Sequence, residues 1–118
     1  MRIAVTSQNF RTITGHAGKT RRFLVFEAEP GGEPREVERL DLPKELSFHE
    51  YRGNEAHPVD GVAVIITTSA GAGFVHRLHA RGISVVLTSE TDPQAAVRGF
   101  FAGTLPPPEP HEHGQHHH

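Results

Sequence analysis

A histidine set between glycines, Gly15-His16-Ala17-Gly18, precedes Lys19, Arg21 and Arg22 and then an apolar run from Phe23. A neutral imidazole is a good ligand for iron, nickel, copper or zinc. Glycines on either side let the backbone approach a bulky ligand and leave its amides free. One histidine does not make a metal site, and an exposed histidine on a turn fits the same residues. A second small-residue stretch, Thr68-Ser69-Ala70-Gly71-Ala72-Gly73, follows an apolar run and leads into a helical pattern. Its amides and the helix dipole favour an anion, at the sheet edge where open α/β proteins bind ligands. Ordinary strand-to-helix turn chemistry accounts for its glycines equally well.

The remaining candidates are weaker. Arg21 and Arg22 could add positive charge, but only one can point to a given face of a strand. His76 and His79 lie three residues apart and share a helix face, with no third ligand in sight. His49 and His57 fall in a segment without a clear period and receive no role. Five of the ten histidines, His111, His113, His116, His117 and His118, crowd the last eight residues. Such a tract chelates nickel, zinc or copper through flexible imidazoles; the alternative is a purification tag.

Enzyme chemistry finds little support. A nuclease of the ribonuclease-H type needs clustered carboxylates around magnesium. The first strand ends in Thr6-Ser7, Asp60 precedes its strand, and Glu27 stands alone. The sequence has no nucleophile elbow, P-loop or dinucleotide fingerprint. It has no cysteine, so a disulfide framework and an all-cysteinyl iron–sulfur site are both excluded. The formal net charge of -2 gives no broad field for nucleic acid or membrane. No apolar run approaches the roughly 20 residues of a membrane span, and a cytoplasmic protein is expected.

These residues must be positioned by one domain, since 118 residues build one core. Ile3-Ala4-Val5 reads as a buried first strand, and Ser7 to Lys19 as a loop. Phe23 to Phe26 is apolar on both faces, as in a central strand. A turn at Glu29 to Pro34 leads to a half-exposed edge strand around Val37, Leu40 and Leu42, paired as a hairpin. Asp41 to Asp60 reads mostly as loop, with at most a short helix. Val62 to Ile66 is a strand buried on both faces. Phe74, Val75 and Leu78 share a helix face, with Arg77 and Arg81 elsewhere, and Gly82 ends that helix. Ile83 to Leu87 reads as another buried strand. Asp92-Pro93 is a helix cap and first turn, and Gly103 is the stop. The last two strands should be parallel with a right-handed crossover. Residues 1–105 form the domain; 106–118 form a disordered Pro/His-rich tail.

This order resembles the nitrogenase iron–molybdenum cofactor biosynthesis family, the domain type of NifX, NifY and the C-terminal part of NifB. "MRIAVTS" opens like that family's first strand, and "GHAG" stands where members carry G-H-x-G before the second. "GVAVIITTSAGAG", "LHARGISVV" and "TDPQAAVRGFFAGTL" look like its strand, glycine loop, helices and G-I turn. The likeness covers about residues 1–105. The segment before Val62 is shorter than the helix of many members, and the glycine loop lacks a proline that some have. The resemblance implies a ribonuclease-H-like, three-layer α/β sandwich with a five-stranded mixed sheet. It also implies a non-catalytic carrier for an iron–sulfur-based metallocluster, the iron–molybdenum cofactor or its precursor. Gly15, His16, Gly18, Ser69, Gly71 and Gly73 would bind it, with His16 anchoring a cluster that brings its own sulfurs. Its partners would be cofactor-assembly or nitrogenase-related proteins. Two other readings stay open: nickel or zinc handling through the tail, and a regulatory module of the same fold without a cluster.

Overall fold

The computed structural model describes residues 1–48 and 56–109. In chain order these form β1 (Arg2–Thr6), β2 (Arg22–Glu27), β3 (Arg35–Asp41), β4 (Val64–Thr67), α1 (Ala72–Ala80), β5 (Ser84–Leu87) and α2 (Pro93–Ala102). One 3-10 turn, Lys44–Leu46, lies between β3 and β4. The strands order as β3-β2-β1-β4-β5. β1, β2 and β3 pair antiparallel, whereas β4 runs parallel to both β1 and β5. The hairpin and the parallel half therefore meet on β1.

Period-two alternation divides the apolar residues between two cores. Ile3, Val5, Leu24, Phe26, Val64 and Ile66 join Ala96 and Val97 of α2 on one face. Ala4, Phe23, Val25 and Ile65 join Phe74 and Leu78 of α1 on the other. The helices thus cover opposite faces, giving the three-layer, ribonuclease-H-like sandwich. Each fully buried Ile or Phe contributes about 1.5–3 kcal/mol relative to an exposed one. Phe48 and Val59, from the stretch without a period, also enter the α1-side core. The described residues of that stretch hold two apolar anchors, with only the 3-10 turn as regular structure among them.

Both helix stops are glycines in the left-handed region, Gly82 at φ 80° and Gly103 at φ 72°, where other residues are strained. The expectation of β5 as a buried strand is corrected. It is the sheet's edge: Val85 and Val86 are half-buried and Leu87 is 36% exposed. Its apolar run comes from being covered above and below by the two helices, with no strand beyond it among the described residues. The opposite edge, β3, is exposed at every position except Leu40, and its register with β2 shifts at Val25/Phe26. Charge and a bulge are common protections of a free edge.

After α2 the chain stays against the sheet a little past Leu105. Thr88 Oγ1 donates to the Pro106 carbonyl at 2.7 Å and the Ser89 amide donates to that of Pro107 at 3.2 Å. These bonds run residues 106 and 107 alongside the residues that follow β5. The tail histidines 111, 113 and 116–118, and His49, lie outside the described residues. Among the described residues no helix is long and apolar enough to cross a membrane.

Candidate functional site

Because β1 and β4 are parallel neighbours, the loops that follow them leave from the same sheet edge. The loop after β1 folds down onto the loop after β4 through buried hydroxyls. Thr6 Oγ1 and Thr67 Oγ1 are 2.8 Å apart. Both reach the Thr14 carbonyl, at 2.6 and 3.1 Å. The Thr14 amide donates back to Thr6 O at 2.9 Å, and the Ile13 amide donates to Thr91 O at 2.8 Å. The GHAG segment is thereby fixed over the end of the sheet.

His16 adopts φ 54°, left-handed backbone that a non-glycine residue holds only at some cost. Its amide donates to Ser69 Oγ at 2.8 Å, and the next amide, of Ala17, donates to Ser69 O at 3.1 Å. Two bonds to one serine hold this turn. They also revise the part played by the first glycine. A Cβ on Gly15 would lie 2.3 Å from Ser69 Oγ and 2.8 Å from Thr68 Oγ1. Glycine is needed there for the approach of the two loops to each other, and the amides of His16 and Ala17 are committed to that contact. Gly18 and Gly71 meet no such limit.

What faces outward is a groove of about 320 Å³ lined by His16, Gly18, Lys19, Gly71, Gly73, Phe74 and Arg77. An adjoining depression is lined by Gln8, Thr14, Gly15, His16, Lys19 and Thr20. The proposed Gly15, His16, Gly18, Gly71 and Gly73 thus gather at one place. Ser69 lines neither hollow and acts from behind, as the support of the His16 turn. His16 is exposed.

Among the described residues the groove is electropositive for three reasons. Helix α1 begins at Gly71 with no side-chain cap. The amides of Ala72, Gly73 and Phe74 have no acceptor among those residues, and a helix start carries about half a positive charge. Lys19 and Arg77 add whole charges, and no carboxylate of the described residues lines either hollow. Arg77 was legible only as a residue off the apolar face of its helix. Its Nη2 donates to the Phe48 carbonyl, and its Nε is buried with no partner among the described residues.

Phe48 is itself braced. Its ring stands edge-on to Phe74 at 5.6 Å and lies 4.4 Å from that of His57. His57, buried at 4% exposure, donates through Nε2 to Leu46 O at 2.7 Å and accepts the Val59 amide at Nδ1 at 3.1 Å. Burial holds its pKa below the ordinary imidazole value, with Arg81 adding to the effect against the Leu46 bond and Asp60. Local pattern offered no signal for this histidine. Asp60 pairs with Arg81 at 3.0 Å, which lowers its pKa. His76 and His79 are exposed on α1. Among the described residues no three of His, Cys, Asp or Glu gather as a metal site.

The model of a family described as "Dinitrogenase iron-molybdenum cofactor" matches residues 1–103. Of solved structures, PH0822 is 22% identical, with 89% of this chain and 93% of that one covered and a TM-score of 0.68. The solution structure of TM1290 from Thermotoga, a candidate NifB protein of the DUF35 family, is 19% identical. It covers 94% of this chain and 97% of its own, at a TM-score of 0.60. These two likenesses establish the fold. No curated protein matches the chain.

Proposed function

The chain belongs to the dinitrogenase iron-molybdenum cofactor family, and we propose that it is a non-catalytic carrier of an iron–sulfur-based metallocluster. The cargo would be the iron–molybdenum cofactor or a precursor, received from and passed to cofactor-assembly proteins in the cytoplasm. The observation that carries this reading is one groove in which an exposed imidazole, His16, stands beside an uncapped helix start and the cations Lys19 and Arg77. The donor set suits a preassembled anionic cluster. With no cysteine in the chain, the cargo must bring its own sulfide. The protein supplies one nitrogen ligand at His16, and hydrogen bonds and positive charge for the cluster's own anionic surface. A bare metal ion, which needs three or four protein ligands, is poorly served by the same groove.

The test is anaerobic titration of the protein with an iron–sulfur cluster precursor. His16→Ala is expected to weaken binding by about 1 to 3 kcal/mol, the scale of one charge-assisted contact. Unfolding should barely change, because an exposed side chain supports no core. Equal affinity would reduce His16 to a turn residue. Truncation after Pro108 removes the tail histidines and is expected to leave cluster affinity intact. Loss on truncation would instead favour metal handling by the tail.

A further inference from the structure

Between Ser7 and Phe26 the chain carries Arg11, Lys19, Arg21 and Arg22, four of its twelve lysines and arginines, and none of its fourteen Asp and Glu. The whole chain is nevertheless acidic, at a formal net charge of -2. The structure collects this basic run at the sheet edge that holds the groove. Arg22 is internally satisfied: it lies 3.4 Å from Asp41, donates to Gln8 O at 3.0 Å, and stacks on Phe10 at 5.3 Å. Arg11, Lys19 and Arg21 are exposed and have no ion pair among the described residues. Elsewhere Arg2, Arg39, Arg81 and Arg98 each lie against a carboxylate. Of the three unpaired cations, only Lys19 lines the groove. Arg11 and Arg21 stand outside it, on the same loop. Arg11 sits on the turn where its amide donates to Asn9 Oδ1 at 2.8 Å, and Arg21 adjoins the rim, where its amide donates to Gln8 Oε1 at 3.2 Å.

We propose that the exposed cations of the loop after β1, Arg11, Lys19 and Arg21, dock an acidic surface of a partner protein at the sheet edge that holds the groove. The proposal rests on the reading of the groove as a cargo site only for what is exchanged there. The charge complementarity stands by itself. Exposed charges of this kind act mainly on encounter and orientation: they draw in an acidic face, hold it over the opening, and lose their pull within a Debye length as salt rises. A nucleic acid fits less well. A long polyanion would meet the carboxylate-rich remainder of the chain. The one phenylalanine on this loop, Phe10, is already occupied by Arg22 and Arg39 at 5.3 Å each and offers a base no open face.

The probe is a fluorescent decaglutamate peptide, followed by anisotropy with the full-length chain at low salt. Wild type is expected to bind, with association slowing steeply as salt is added. Arg11→Glu/Arg21→Glu is expected to weaken binding at least tenfold. Arg35→Glu, a reversal on the exposed β3 edge, should change it less than twofold. The double variant should still take up an iron–sulfur precursor within twofold of wild type, whereas His16→Ala should weaken precursor binding and keep the peptide. That split separates failure of this proposal from failure of the carrier reading. Three results would overturn the docking surface. They are absence of peptide binding, an equal loss in Arg35→Glu, and tighter binding of a single-stranded DNA oligonucleotide of the same charge.

Discussion

The two helices start from the same edge of the parallel half of the sheet, yet their first turns are built in opposite ways. At α2 the donors are answered from within. Asp92 accepts the Ala95 amide at 2.8 Å, Pro93 removes one donor, and Glu90 Oε2 accepts the amides of Thr91 and Asp92 at 3.0 Å each. At α1 the cap position is Gly71, which has no side chain to offer, and the residues that follow are Ala72 and Gly73. Unsatisfied helix donors in contact with solvent cost little, and they are available to an anion. The same strand-turn-helix unit is therefore closed in one copy and open in the other. The open copy is the one beside His16, Lys19 and Arg77.

The severest way to break the open copy is to lift the loop that faces it. Gly15→Ala places a methyl 2.3 Å from Ser69 Oγ. Ser69 cannot turn away without releasing the His16 amide. A loss of about 1–3 kcal/mol is expected, the usual cost of overpacking, measured by urea unfolding. Cargo affinity should fall with it. Gly18→Ala, whose Cβ would meet Phe74 at an ordinary 4.0 Å, is the control and should stay near wild type. Equal stability of the two variants would show that the loops do not need this approach.

The contrast is sharpened by giving α1 what α2 already has. Gly71 sits at φ -80°, ψ 161°, an extended conformation any residue adopts, and a Cβ there meets nothing within 4 Å. Gly71→Asp should cap the helix and gain a few tenths of a kcal/mol, the difference between a good cap and glycine. It should also place a carboxylate where the anion belongs, weakening precursor binding about tenfold, or ~1.4 kcal/mol. A variant that is more stable and still binds normally would remove the α1 start from the site. The reverse change, Asp92→Ala, should cost about 1 kcal/mol of stability and leave precursor binding unchanged. Thermal unfolding and the same titration read both.

These changes also mark where sequence and structure part. The α2 cap was readable because Asp92, Pro93 and Gly103 are local signals with one physical meaning. The succession of elements along the chain was readable because each strand is a short continuous apolar run bounded by turn residues. The edge position of β5 was not, since helices on both faces leave the same apolar run as neighbouring strands would. Gly15 and His16 stood out as residues, but the reason for the glycine is Ser69, more than fifty positions on. Arg77 and His57 gave no local sign. One is defined by the carbonyl of Phe48, the other by Leu46 and Val59, and no local pattern of residue types encodes those partners.

That underlying packing sets the smallest expected effect, a slope with pH that separates the two helices. The core beneath α2 is apolar, from Ile3, Val5 and Ile66 to Val97. Beneath α1 lies the His57 ring, through Phe48 and Phe74. With Nε2–H donating to Leu46 O, Nδ1 must stay unprotonated to accept the Val59 amide. Burial accordingly holds the folded pKa below the unfolded value of 6.5. Between the two values the unfolded chain binds the extra proton, so this contribution is complete above about 6.5 and is lost as pH falls toward the folded value. The slope is bounded by about 1.4 kcal/mol per pH unit for one proton. Asp60, lowered from 3.8 by its bond to Arg81, loses its share only in more acid solution and does not mask the window from pH 7 to 5. His57→Gln should flatten the slope of unfolding free energy there relative to wild type, whatever its own stability, which subtracts the other histidines. In hydrogen exchange between pH 7 and 5, corrected for intrinsic rates, the amides of α1 should lose protection before those of α2. Parallel loss in both helices, or an unchanged slope in the variant, would show that the two halves of the sandwich respond to protons as one.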